Sequence, residues 1–139
     1  MTGNSLTGTP ASPGYFTGKG YVVPKSEIWT FQPPKEPYVL VTETTSPDYF
    51  ALMYQAGGIV TTTGGAASHA ATVARELGKP AVVAVLNATQ LLGGKMISVD
   101  GTNGIVSYQD FIEPKPETEN WGKSLQWKLF KKYVLKDGD

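Results

Sequence analysis

Short apolar runs, set apart by small and polar residues, give this chain its rhythm. Tyr15 to Val23 and Tyr38-Val39-Leu40-Val41-Thr42 are compact and β-rich, the second reading as a buried strand. Ile59-Val60 ends a third run at a Thr-rich turn, and Ala81 to Val85 forms a fourth. Met96 to Asp100 and Ile105 to Tyr108 flank Gly101-Thr102-Asn103-Gly104, a hairpin-type turn. Helical spacing appears between these runs. Tyr49, Leu52, Met53 and Ala56 recur at it, with Pro47 in a first turn, Ser46 as its cap and Gly57-Gly58 as the stop. An Ala-rich segment opens at Ser68-His69 and ends at Leu77-Gly78, ahead of Pro80. Asn87 to Leu92 reads as a short helical turn closed by Gly93-Gly94. Strands alternating with helices predict an α/β fold with a small, mostly parallel central sheet.

The remaining segments read as connections. Met1 to Thr7 is small and polar and predicted to fray, Gly8 to Gly14 is a turn-rich entry, and Pro24 to Pro37 is a connector. From Glu113 the composition changes. Residues 1–112 read as one domain, 113–120 as a polar, Pro-containing linker, and 121–139 as an amphipathic tail. In the tail Trp121, Leu125, Leu129 and Tyr133 fall at i, i+4 spacing, and five lysines but no acid lie between Lys123 and Lys136. That tail suits three roles: a helix covering one face of the domain, a dock for a partner subunit, or a membrane-surface contact.

Composition narrows the chemistry. The 139 residues, 40% of them hydrophobic, suffice for one domain with a core. Twelve basic residues balance twelve acidic ones, so charge makes no case for nucleic acid as a partner. With no cysteine and one histidine, disulfides and thiolate chemistry are excluded and a protein-only zinc site is disfavoured. No apolar run approaches the roughly 20 residues of a membrane span. The first residues lack a basic start and an apolar core, so no secretory signal is expected and a cytoplasmic location is the default.

The chemistry gathers between Ile59 and Val83, where the only histidine opens a helix. The first amides of a helix lack intrahelical partners, and the helix dipole adds partial positive charge, so an anion is favoured there. Gly64 and Gly65 let backbone approach a bulky anionic group, and Thr61, Thr62 and Thr63 add hydroxyls. Neutral imidazole is a competent nucleophile near pH 7, so His69 can carry a phosphoryl group held by these donors. Ser68 reads equally as an N-cap or a phosphate contact. Arg75, six residues past His69, reads equally as a site residue or as scaffold paired with an acid such as Glu43 or Asp48.

The stretch strongly resembles the phosphohistidine domain of the phosphoenolpyruvate-utilising enzymes, among them pyruvate phosphate dikinase, phosphoenolpyruvate synthase and enzyme I. The family pattern, roughly Thr-x-x-Gly-Gly-x-x-Ser-His-x-Ala, two residues, Ala-Arg-Glu-x-Gly-x-Pro, is met by Thr61, Gly64, Gly65, Ser68, His69, Ala71, Ala74, Arg75, Glu76, Gly78 and Pro80. Ala11-Ser12-Pro13-Gly14, Thr45-Ser46-Pro47-Asp48 and the Asp100-Gly101 turn match in register, so the resemblance runs from about Gly8 to Tyr108. It implies a swivelling β/β/α phosphohistidine domain, with His69 as the phosphorylated residue and Thr61, Gly64, Gly65, Ser68 and Arg75 around the phosphate. Two departures stand out. Thr63 occupies a position where many members carry Arg or Glu, and Ala67 stands where plant-type dikinases carry a regulatory threonine.

Enzymes of this family move such a domain between a nucleotide-binding domain and a phosphoenolpyruvate or pyruvate barrel. This sequence shows no P-loop and has no room for a barrel. The resemblance therefore implies a carrier, either free-standing or an excised domain, that is incomplete alone. Its partners would be a nucleotide-binding subunit or domain and a phosphoenolpyruvate/pyruvate-type acceptor subunit. No cofactor is expected in this chain; Mg²⁺ and ATP or phosphoenolpyruvate would sit on the partner. The rival readings are a non-catalytic binding module that keeps the fold, and a hydrolase using Ser68 and His69. No obvious acid accompanies that last pair.

Overall fold

A computed structural model describes residues 4–111. The linker 113–120, the tail 121–139 and the boundary set at 112 lie outside the described residues. The strands are β1 (Asn4–Thr7), β2 (Thr9–Ser12), β3 (Tyr15–Val22), β4 (Val39–Thr42), β5 (Gly58–Thr61), β6 (Ala81–Val83), β7 (Lys95–Asp100) and β8 (Ile105–Asp110). The helices are α1 (Phe50–Gln55), α2 (His69–Leu77) and α3 (Ala88–Leu91). A 3-10 turn at Pro47–Tyr49 leads into α1.

One sheet contains all eight strands, in the order β1-β8-β7-β3-β4-β5-β6-β2. Three neighbouring pairs, β3–β4, β4–β5 and β5–β6, are parallel. The pairs β1–β8, β8–β7, β7–β3 and β6–β2 are antiparallel. The architecture is thus mixed α/β, but the sheet is larger than expected and mostly antiparallel. The difference lies largely in the first dozen residues. Asn4–Thr7, expected to fray, is β1, and Thr9–Ser12, read as a turn, is β2. β1 is largely exposed and lies at the sheet edge, so it carries no apolar alternation for sequence reading to detect.

Every residue of β4, β5 and β6 is buried. Alternate side chains along these strands feed two cores, as the period of two requires. Leu40, Ile59, Ala81 and Val83 pack with Met53 of α1 and with Ala70, Ala71 and Ala74 of α2. Val39, Val41, Val60 and Val82 pack with Ile97 and Val99 of β7 and Val106 of β8. The result is a β/β/α layering: α1 and α2 on one face of the parallel strands, and the antiparallel part, with Ala88 of α3 packed into it, across the other. Tyr38, whose phenol donates to the Leu52 carbonyl at 2.9 Å, is buried on the helix side, and burial pushes its pKa up to about 12.

β1 and β2, consecutive in the chain, stand at opposite ends of the strand order, and Gly8 joins them. Gly8 N–H donates to Gly104 O at 2.9 Å and Gly101 N–H to Gly14 O at 2.8 Å, which draws the β7–β8 turn against this joint and nearly closes the sheet. Asp100 holds the turn from inside by accepting from the Thr102 and Asn103 amides and the Asn103 side chain. The Asn103 side-chain bond, with help from these amides, lowers the Asp100 pKa. A Cβ at Gly101 would fall 1.8 Å from Ser12 O and 2.8 Å from Ala81 N, both backbone. We therefore expect Gly101→Ala to destabilise the domain by at least about 1–3 kcal/mol, the usual cost of overpacking. A thermal or urea melt checks this, and an unchanged midpoint would show that the seam is not load-sharing.

Candidate functional site

The site lies where the parallel strands end. β5 ends at Thr61, and the chain turns through residues 62–68 into α2. Backbone bonds to both neighbours of β5 hold this turn. Thr62 N–H donates to Thr42 O at 3.1 Å and Thr63 N–H to Glu43 O at 3.0 Å, on the β4 side. Val85 N–H donates to Thr61 O at 3.0 Å from the β6 side. Ser68 caps α2 in extended conformation, its Oγ accepting from Ala71 N–H at 3.2 Å. The amides of His69 and Ala70, the first two of the helix, have no backbone partner among the described residues. His69 itself is half-buried.

One contact fixes the imidazole. Thr45 Oγ1 and His69 Nδ1 are 2.8 Å apart, bridging the loop after β4 to the start of α2. Thr45 is 8% exposed, so the bond is sheltered. With Nδ1 taken by the hydroxyl, Nε2 is the ring nitrogen left for chemistry. For Nε2 to present a lone pair, Nδ1 must carry the proton and donate it to Thr45. A second set of bonds supports the Thr45 loop. Thr42 Oγ1 donates to Tyr49 Oη at 2.9 Å, and Tyr49 donates to Val23 O at 2.8 Å. Burial raises the Tyr49 pKa against a smaller lowering by the Thr42 bond. A cleft of about 340 Å³ borders the same loop, between Val22, Lys25, Thr45 and Tyr49.

The sequence-derived site residues divide. His69, Ser68, Gly64 and Gly65 come together. Gly64 has φ +118, and a Cβ there would lie 3.1 Å from Ser68 Oγ. A Cβ at Gly65 would meet nothing within 4 Å. Only Gly64 is therefore required by the fold; Gly65 leaves open space. Thr61 differs from expectation: it is fully buried, and its hydroxyl donates back to Thr63 O at 2.6 Å. It shapes the turn, and its one proton does not point at an anion. Arg75 pairs with neither Glu43 nor Asp48. Its guanidinium donates to Ala11 O at 2.9 Å, tying α2 to β2. Ser46 stands at the N-cap of the 3-10 turn without a capping bond, and its Oγ is buried and unpartnered. Thr45 was not singled out from sequence. Its signal was the Thr45-Ser46-Pro47-Asp48 turn, which matched the family while its hydroxyl was given no role.

This layering defines a three-layer β/β/α domain with an imidazole at the opening of the helix that follows a central parallel strand. The chain belongs to the PEP-utilising enzyme mobile domain family, whose description matches residues 34–104. It is 45% identical over 118 residues to a probable phosphoenolpyruvate synthase of Staphylothermus marinus, covering 82% of this chain and 14% of that protein. A probable phosphoenolpyruvate synthase of Archaeoglobus fulgidus is 46% identical over 114 residues, covering 81% and 15%. The chain thus spans about a seventh of the length of these relatives. The crystal structure of Thermococcus kodakaraensis aconitase X (holo-form) superposes with TM-score 0.57 at 20% identity, covering 78% of this chain and 100% of that one. That likeness is one of fold alone. No helix among the described residues is long and apolar enough to cross a membrane.

The two glycines make opposite predictions. Gly64→Ala places a side chain at positive φ against Ser68, and should cost about 1–3 kcal/mol. Gly65→Ala should stay within about 0.5 kcal/mol of the unchanged protein. Paired chemical melts check this; equal effects would refute the assignment of roles.

Proposed function

We propose that this chain is a phosphoryl carrier in a phosphoenolpyruvate synthase- or dikinase-like system. Family membership supports a phosphotransfer role, and the Thr45–His69 bond is the observation that carries the reading to this site. The Nε2 lone pair attacks the transferring phosphorus of ATP or phosphoenolpyruvate bound on a partner. An N–P bond forms as the P–O bond to the leaving group breaks, and the leaving group keeps that electron pair. Nδ1–H stays on Thr45, so the ring keeps its orientation as it takes up charge. In the onward step an acceptor oxygen attacks phosphorus, the N–P bond breaks, and its electron pair returns to Nε2.

Around His69 the chain offers the free amides of the α2 start and the open space at Gly65. Ser68 supports them as the cap. The partners are a nucleotide-binding subunit or domain and a phosphoenolpyruvate/pyruvate-type acceptor, with Mg²⁺ held on the partner side. The setting is the cytoplasm, where both donors are made.

Labelling tests the reading. With a competent donor enzyme the chain should gain about 80 Da, one phosphoryl group, lost in acid and stable in alkali. His69→Ala should abolish the label; undiminished labelling would sink the mechanism. Absence of label on the unchanged chain would favour the binding-module alternative. Thr45→Val removes the Nδ1 partner and should slow labelling by about tenfold or more, whereas Thr45→Ser should retain it. If Thr45→Val labels at the unchanged rate, the bond does not orient the ring.

A further inference from the structure

We propose that Leu86 is a partner-docking side chain, which seats in an apolar depression beside the phosphoryl-exchange site of the donor enzyme. The inference rests on the carrier reading and adds to it a contact outside the histidine loop. Leu86 is a large apolar side chain left 75% exposed, in the loop that leaves β6. A single exposed leucine needs no explanation. This one stands in an unusual backbone. Ala84 and Asn87, on either side, hold φ of 58° and 64°, and they are the non-glycine residues of the described chain with positive φ. Alanine is disfavoured there. Between them Val85 is fully buried and its N–H is bonded to Thr61 O, at the root of the histidine loop. The inward turn of Val85 and the outward turn of Leu86 are thus set by one tightly constrained segment.

The location gives the partner. β6 is paired with β5, and both loops leave the same end of the parallel strands. Gly64 bends toward β6: a Cβ on it would lie 3.6 Å from Val83 Cβ. In-line transfer requires reacting atoms about 3–3.5 Å apart, so any surface serving His69 must close over its surroundings. That surface then meets Thr63, Gly64, Ala66 and Ala67, which are exposed and uncharged, and next to that loop comes the one that carries Leu86, tied to it by the Val85–Thr61 bond. These four positions carry no charge, and the nearest charge shown, exposed Glu43, lies on the β4 side against Thr63. On the β6 side the matching partner surface is apolar at Leu86, and its cations are aimed at the phosphoryl group.

The test uses the full chain, ATP and the Staphylothermus marinus relative as donor enzyme, with that enzyme's own counterpart of His69 replaced by alanine and no pyruvate added, so that label stays on His69. The initial rate of His69 labelling is followed against the concentration of this chain. Leu86→Ser should raise KM for the chain by about tenfold with kcat within about twofold, and Leu86→Met should stay near the unchanged protein. Tyr15→Ser, an equally exposed change (68%) where β3 begins, should leave KM unchanged. Thermal melts should place all three variants near the parent. A Leu86→Ser KM equal to that of the parent, or matched by Tyr15→Ser, overturns the docking role while leaving the carrier reading intact. If the unchanged chain is not labelled on His69 at any concentration, the carrier reading falls and the docking role with it.

Discussion

The structure depends on covering the parallel strands on both faces. β4, β5 and β6 are apolar on each side, so neither face can be left to water. The crossover segments supply one cover, α1 and α2. The other cannot come from crossovers on the same side, and the chain makes it from the β7–β8 hairpin, with Leu6 of β1 packed against the same core. Burial of Leu, Ile and Val at roughly 25 cal/mol per Å² of apolar surface drives both layers. Once both faces are closed, the ends of the strands are where the chain can present polar groups. The histidine loop lies at one such end because its backbone bonds, to Thr42 and Glu43 on one side and from Val85 on the other, continue the sheet beyond β5.

That continuation explains why the loop residues act differently from what their chemistry alone suggests. Thr61 is a donor by type, but in a fully buried position its hydroxyl must find a partner, and Thr63 O is the nearest one in the turn. Arg75 is a cation by type, yet its place on the face of α2 that meets β2 turns it to a backbone carbonyl. The residues that remain available at the site are those the fold does not need: the first helix amides, the open side of Gly65, and Nε2.

Much of this was legible in the sequence for physical reasons. The helix α2, its Ser68 start and Gly78 end, the central strands and the β7–β8 hairpin follow local rules of period, capping and turn chemistry. His69 at the helix start was legible for the same reason. The edge strands were not: β1 is polar and four residues long, and its pairing partner β8 lies about a hundred residues away. Thr45 was missed because its contact with His69 spans 24 residues, and no local pattern reports it. Sequence shows the residues a loop contains, whereas the partners of buried hydroxyls are set by which strands become neighbours.

The absence of a cation among the groups that hold His69 bears on what kind of device this is. The described residues bonded to the imidazole or capping its helix are neutral: Thr45, Ser68 and backbone amides. A guanidinium seated on a phosphoryl group would stabilise the phosphorylated ground state through a charge-assisted bond. A carrier gains nothing from that, since stabilisation shared by ground and transition states does not speed the chemical step. Helix-start amides contribute only about 0.3–1 kcal/mol for a nearby charge at an exposed site. On the carrier reading, such a site accepts the group without trapping it, and leaves the strong charges to the partner surface. On the carrier reading, the turn of Arg75 away to Ala11 is then part of the same economy of charge as the neutral Thr63.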